Sequence, residues 1–371
     1  MNQFKEFLRN KSNKKAFFMI GGGILALVVL ILVIFFVIKM INRKITYGAL
    51  EDQLANAASK YLSDHPEYYP TEASPSFTIN ADTLVQEKYL KKEINKLVKD
   101  TCSADVTVLY KNDSYQLKPM VSCNNYETQQ IFDKVLADNR VTEDMTGLYD
   151  MNDLLVFRGD KPNNYIEFNK KVWRIIKMDP ADSKMYLILD NLKDAPNDIW
   201  DNRYNTIEES RHGINNYDMS IALETLDHIY LESFQDVKSS MVPMDICLGK
   251  RSETEQVNDS SVECSSIMQE QKYLTLLPLY DYINASYDRQ CLSAANRACA
   301  NYNYLVNASG KWWTSTADGS RGTKVFGINY SGIIGSDFAD SKKYLRYVIA
   351  IDGNLIYSKG NGTQDSPYVF K

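Results

Sequence analysis

Cys102-Ser103-Ala104-Asp105-Val106-Thr107-Val108-Leu109-Tyr110-Lys111, then Asn112-Asp113, then Ser114-Tyr115-Gln116-Leu117-Lys118-Pro119-Met120-Val121-Ser122-Cys123, is two alternating apolar-polar runs about a polar centre. Alternation with a period of two marks strands with one buried face. With Asn112-Asp113 as a two-residue hairpin loop, paired residue numbers sum to 225. Cys102 then faces Cys123 in a non-hydrogen-bonded pair, where side chains approach most closely, and a disulfide is predicted. The same register puts Ala104, Val106, Val108 and Tyr110 on one face with Val121, Pro119, Leu117 and Tyr115. Ser103, Asp105, Thr107, Gln116, Lys118 and Ser122 fall on the other. A slip of one residue would scramble both features.

Working outward, residues 46–62 carry Leu50, Leu54, Ala57, Ala58 and Tyr61 at helical spacing, and Asp64-His65-Pro66 stops the pattern. A proline-punctuated loop over 65–78 follows. Asn80 is placed to cap a helix over 81–99, with Leu90, Ile94 and Leu97 inward. Residues 46–137 thus read as a small helix-plus-hairpin module, and the polar, Asp-rich 138–153 as a linker. In 154–371, strands are predicted near 154–157, 166–168, 172–176 and 185–189, and helices near 217–235 and 279–287. Residues 247–272 read as a loop bounded by cysteines. Many short strands, few helices and long loops make the class α+β.

Before the module lies Ala16 to Ile38, 23 residues without a charge. As a helix it would span about 34 Å at ~1.5 Å per residue, enough for the hydrocarbon core of a bilayer. Five basic residues precede it (Lys5, Arg9, Lys11, Lys14, Lys15) and three follow (Lys39, Arg43, Lys44). That bias puts 1–15 in the cytoplasm and the rest outside, in a single pass through the plasma membrane. The run is longer than a signal-peptide core and no small-x-small site follows it directly, so it reads as an uncleaved signal anchor. The Gly21-Gly22-Gly23 run reads as a tolerated flexible patch, although it permits close helix contact and leaves self-association open.

All six cysteines lie beyond residue 100, on the side assigned to the exterior. An even number there fits an oxidising compartment. For the last four, sequential pairing, Cys247 with Cys264 and Cys291 with Cys299, closes two short loops. They lack the close Cys-x-x-Cys spacing and nearby His pair of a zinc site. A net charge of −5 gives no reason to expect nucleic acid as partner.

Two resemblances follow. Leu50-Glu51-Asp52-Gln53-Leu54 through Ala57-Ala58-Ser59-Lys60-Tyr61, then the Pro-rich turn, Tyr89-Leu90, Cys102 to Cys123 and Tyr126, resembles the pilin-like head modules of many Firmicutes surface proteins. Type IV prepilins carry a Gly cleavage site and an early Glu; here Lys15 precedes Ala16 and the apolar run holds no Glu. The second resemblance rests on Phe157-Arg158-Gly159 with Asn163-Asn164-Tyr165-Ile166 and Val172-Trp173-Arg174-Ile175-Ile176. Its other carriers are Leu279 to Ser286, Lys311-Trp312-Trp313-Thr314-Ser315-Thr316, and Gly360 to Tyr368. These resemble a Firmicutes ectodomain family similar to C-type lectin-like and formylglycine-generating-enzyme-like domains. The resemblance implies a disulfide-bearing extracellular binding domain for a glycan, peptide or protein.

No catalytic residue, metal ligand or cofactor is nominated. The sugar-binding motifs of calcium-dependent lectins are absent, and His65, His212 and His228 lie far apart. Asp194, Asp198, Asp201 and Asn202 read as a solvated acidic turn. The nominated ligand contacts are aromatic: Trp312, Trp313, Tyr330 and Tyr344. Strand alternation turns at least one of the two tryptophans into the core. The functional expectation is a surface-anchored, non-catalytic binding or adhesion protein. The alternatives are a structural subunit of a pilus-like or secretion-associated assembly, and an extracellular enzyme.

Overall fold

A computed structural model describes residues 44–111 and 114–371, together with Val29. Apart from Val29, the apolar run 16–38 lies outside the described residues, as do the loop residues 112 and 113. Among those described, no helix is long and apolar enough to cross a membrane.

The chain is α+β with three disulfides. Helix α1 (Tyr47–Asp64) starts where the Thr46 side chain accepts from the Ala49 N–H at 3.2 Å. Its inward stripe is Leu50, Leu54, Ala57, Ala58, Tyr61 and Leu62, all buried. It packs on a four-stranded antiparallel sheet, β1 (Ser76–Asn80), β2 (Cys102–Lys111), β3 (Ser114–Cys123) and β4 (Tyr126–Glu127), in that order. The β2–β3 register runs from Cys102↔Cys123 to Lys111↔Ser114, every pair summing to 225, and the Cys102–Cys123 bond is formed. Ala104, Val106, Val108 and Val121 are buried against the helix side.

Two expectations fail here. Ser76–Asn80 is a strand added to β2, where a loop is expected. The helix over 81–99 is two short ones, α2 (Ala81–Gln86) and α3 (Ile94–Leu97). The chain turns out of the first at Lys88, whose φ is 66°, and the Leu90 N–H bonds back to the Leu84 carbonyl. Asn80 does cap α2, accepting from the Asp82 N–H at 2.8 Å, and Leu90 and Ile94 are buried.

The second module begins earlier than expected. Helix α4 (Ile131–Asp138) buries Ile131, Phe132 and Val135 in the large distal core. Residues 138–153 are no linker: β5 (Gly147–Met151) pairs through five residues with β6 (Leu154–Arg158), and Leu148 is buried. The polar composition reflects in part a turn whose residues 140–145 are exposed, closed by the Thr142 N–H on the Thr146 carbonyl.

The strands β7 (Tyr165–Phe168), β8 (Lys171–Asp179), β9 (Lys184–Leu189), β12 (Leu274–Leu276) and β17 (Tyr347–Asp352) join β5 and β6 in a seven-stranded sheet, order β12-β17-β9-β8-β6-β5, with β7 on β8. A second sheet orders β10 (Asn197–Asp198), β16 (Lys343–Tyr344), β13 (Trp312–Asp318), β14 (Lys324–Ile328) and β15 (Ile334–Phe338), with β11 (Lys250–Arg251) parallel to β13. Helices α5 (Ile221–Ser233) and α6 (Leu279–Ala285) share the core between them. One core holds both sheets and all four tryptophans, each fully buried.

The modules meet through charges. Lys111 Nζ is 3.0 Å and Lys118 Nζ 3.9 Å from the buried Asp352 carboxylate. At the other end, Lys371 Nζ lies 3.1 Å from the buried Glu51 and 2.7 Å from Asp52.

Candidate functional site

The tryptophans nominated as contacts do not serve. Trp312 and Trp313 are both 0% exposed. Alternation sends them to opposite faces of β13, but both faces are covered. Tyr282 packs edge-on to Trp312, and Lys343 Nζ sits 3.5 Å over the ring of Trp313. Burial of Lys343 pushes its pKa down to about 8, against the pull of Asp337 2.9 Å away. Tyr344 is half-buried with its ring against Gly310, where a Cβ would come within 2.6 Å of the ring. Tyr330 is exposed, and among the described residues no ring contact joins it to the others.

Of the acids in 194–202, Asp198 accepts from the Ile199 N–H at 2.8 Å, Asp201 is engaged within the fold, and Asp194 is exposed. The Asp201 carboxylate accepts from the Arg203 and Ile214 N–H groups and from Arg203 Nε at 2.7 Å. Among the described residues, the one grouping with metal-ligand spacing is Asp100, Cys102 and Cys123, whose sulfurs are joined to each other.

A cleft opens elsewhere, between β8, β9, the 244–267 loop and the start of α6, with a volume of about 240 Å³. Its walls are Leu154, Ile176, Met244, Ile267, Pro278 and Val348, with Tyr186 and Tyr280. Its charged floor is a pair drawn from distant segments. Lys177 Nζ donates to both Asp281 carboxylate oxygens at 2.9 and 2.8 Å and to the Tyr280 hydroxyl at 3.1 Å. The ammonium also stands 4.9 Å from the centroids of both the Tyr186 and Tyr280 rings.

Local structure explains the placement. β8 carries a bulge between Ile175 and Lys177, where its register against β9 shifts. Bulges re-aim side chains in this way, and here the residue beyond the bulge is the cation. Opposite, Pro278 leads into α6 with its fixed φ already suited to a helix start. The first N–H groups of α6 find partners: Leu279 donates to Thr316 Oγ1 at 2.8 Å and Tyr280 to Glu263 Oε1 at 3.2 Å. Glu263 is itself clamped by Arg251 in a two-point pair at 2.8 and 2.7 Å, both residues buried. The Cys247–Cys264 bond closes this loop beside the cleft.

Burial alone would lower the Lys177 pKa. The Asp281 carboxylate and the Tyr280 hydroxyl outweigh it and hold the group above the ordinary lysine value. The Tyr280 hydroxyl is pushed up to about 12, first by burial and then by Asp281. At neutral pH the cleft therefore offers a locked ammonium, a protonated phenol and ring edges. Burial pushes the Asp281 carboxyl up, against the pull of the Lys177 ammonium.

These four residues were not nominated from the sequence. A signal was present: Lys177 stands with Arg174 in Val172-Trp173-Arg174-Ile175-Ile176-Lys177-Met178, and Asp281 stands alone in Leu279-Tyr280-Asp281-Tyr282-Ile283, charges inside apolar runs. A buried charge needs an opposite partner, so two such runs point to each other.

No protein-family model matches this chain, and no curated protein or solved structure matches it.

Proposed function

We propose that the chain is a cell-surface-anchored, extracellular binding protein that displays a lectin-like distal domain on a pilin-like membrane-proximal module. The observation that carries the binding reading is the Lys177–Asp281–Tyr280 floor: a built cleft whose charges are mutually satisfied, so it recognises by shape, ring faces and fixed dipoles. The three closed disulfides support the exterior location, since such bonds persist in oxidising compartments. A ligand of this cleft is a glycan or a short peptide with an apolar face for Tyr186 and hydrogen-bonding groups for the floor.

Glycan and peptide arrays probed with the full chain, alongside Tyr186→Ala, test this. Retention of specific spots by the wild type and their loss in the variant supports it. Unchanged spots, or turnover of any array compound abolished by Lys177→Met, overturns it. A second reading, a subunit of a surface filament, draws on α1, which packs on an antiparallel sheet and follows the apolar run in sequence. Purification of a regular polymer from the cell surface would favour it.

A further inference from the structure

A different aromatic group stands on the surface at the far end of α6. Tyr287 and Tyr302 stack with centroids 4.4 Å apart and planes 18° apart, and Tyr302 is 50% exposed. The segment that carries them is rigid. Cys291–Cys299 closes it, Asn301 donates to the Asp288 carboxylate at 2.8 Å, and buried Asn303 donates to the Tyr282 and Cys299 carbonyls at 2.9 and 2.8 Å. Tyr302 is held at φ 47°. A bulky residue in the left-handed region is costly, and such positions concentrate where a side chain must be presented.

The surroundings are acidic. Tyr287 has its hydroxyl pKa raised, first by desolvation and then by Tyr302, Asp144, Tyr149 and Asp160; no cation is among the causes. Asp144 and Asp160 are exposed. Arg158 sits 5.1 Å over the ring of Tyr149 with its Nη2 on the Ser286 carbonyl at 2.7 Å, so this guanidinium is engaged within the fold. The cluster thus already seats one guanidinium on a tyrosine face, and the half-exposed Tyr302 stacks on Tyr287, whose acidic neighbours are Asp160 and Asp144, the latter accepting from Thr142 Oγ1 and the Thr146 N–H.

We propose that the Tyr287–Tyr302 platform, rimmed by Asp144 and Asp160, binds a cationic side chain of a peptide or protein partner, an arginine stacking on Tyr302. Ring quadrupole and carboxylates both attract such a group, and arginine adds planar contact. A neutral sugar would use the ring but gain nothing from the acidic rim. The proposal names a partner class for the binding reading above yet stands on other residues. The cleft variant Tyr186→Ala therefore leaves it intact, and the failure of either is seen separately.

The test is titration of the full chain with capped tetra-arginine, with tetra-glutamate and chitotetraose as comparisons, followed by tyrosine-ring NMR shifts. Expected are saturable tetra-arginine binding that weakens with salt, at least tenfold loss in Tyr302→Ala, several-fold loss in Asp144→Asn/Asp160→Asn, and retention in Tyr302→Phe. The acid variants leave the strained segment untouched, so they decide the matter should Tyr302→Ala misfold. Absence of tetra-arginine binding, equal binding by tetra-glutamate, or chitotetraose binding indifferent to the two aspartates would each overturn the proposal.

Discussion

Replacing Asp281 by asparagine removes one charge and almost no volume, and so isolates the electrostatics of the cleft floor. The Lys177 and Asp281 side chains are 8% and 5% exposed, and the carboxylate supplies two of the three hydrogen-bond partners of the ammonium. Breaking a buried pair from one side costs about 3–5 kcal/mol, because the remaining charge has neither water nor counter-charge. Lysine has an escape: without Asp281, desolvation is left as the main influence, and the Lys177 pKa falls below its ordinary value. The unfolded chain then binds more protons than the folded one. Stability of the variant therefore rises with pH above the new folded pKa, by up to about 1.4 kcal/mol per unit. Wild type keeps its lysine charged and shows no such rise from this group. The double substitution Lys177→Met/Asp281→Leu should lie within about 1 kcal/mol of wild type, since apolar replacement of a buried pair is commonly near neutral. Urea unfolding followed by the four fully buried tryptophans reads all of this at pH 7 and pH 9. An Asp281→Asn cost under ~1 kcal/mol, or a double variant worse than the single, would refute the account of the floor.

Lys343 gives a second pH signature. Its folded pKa of about 8 lies below the unfolded value, so stability should rise from about pH 8 toward pH 10 by roughly 1.4 kcal/mol per unit. Lys343→Met should lack that rise in paired urea titrations. Removing the hairpin bridge with Cys102→Ala/Cys123→Ala should cost about 3 kcal/mol for a sequence separation of 21, measured by the same unfolding. At the module contact, burial would raise the Asp352 carboxyl, but the Asn354 amide, Lys118 and Lys111 together hold it below the ordinary range. Its contribution is present above about pH 4 and lost as pH falls through the lower folded pKa. Asp352→Asn should accordingly flatten the acid limb of the stability curve, and an unchanged limb would show that the two lysines do not act through it.

How far the sequence discloses this molecule depends on the range of the interaction that decides each feature. The hairpin is local: period, loop and two cysteines all constrain one register, and Cys102↔Cys123 follows. The α1 stripe is local in the same sense. The break at Lys88 is not, because an adjacent strand, Ser76–Asn80, and a long-range core decide where 81–99 turns. Composition misled at 138–153 because the polarity of an edge turn and of a linker look alike until β6 is seen pairing with β5. Alternation told correctly that Trp312 and Trp313 face opposite ways, but which faces are open is a property of layers. Lys343 lies one residue before Tyr344 and Arg346 two after it, yet they reach Trp313 and Trp312 respectively. The cleft is the clearest case. Lys177 and Asp281 are 104 residues apart, and each alone reads as an anomaly in an apolar run. Only the bulge in β8 and the clamp of Arg251 on Glu263 bring them together. A charge misplaced by the rules of its own segment is therefore the sequence feature most worth pairing with a distant one, and here that pairing lands on the site.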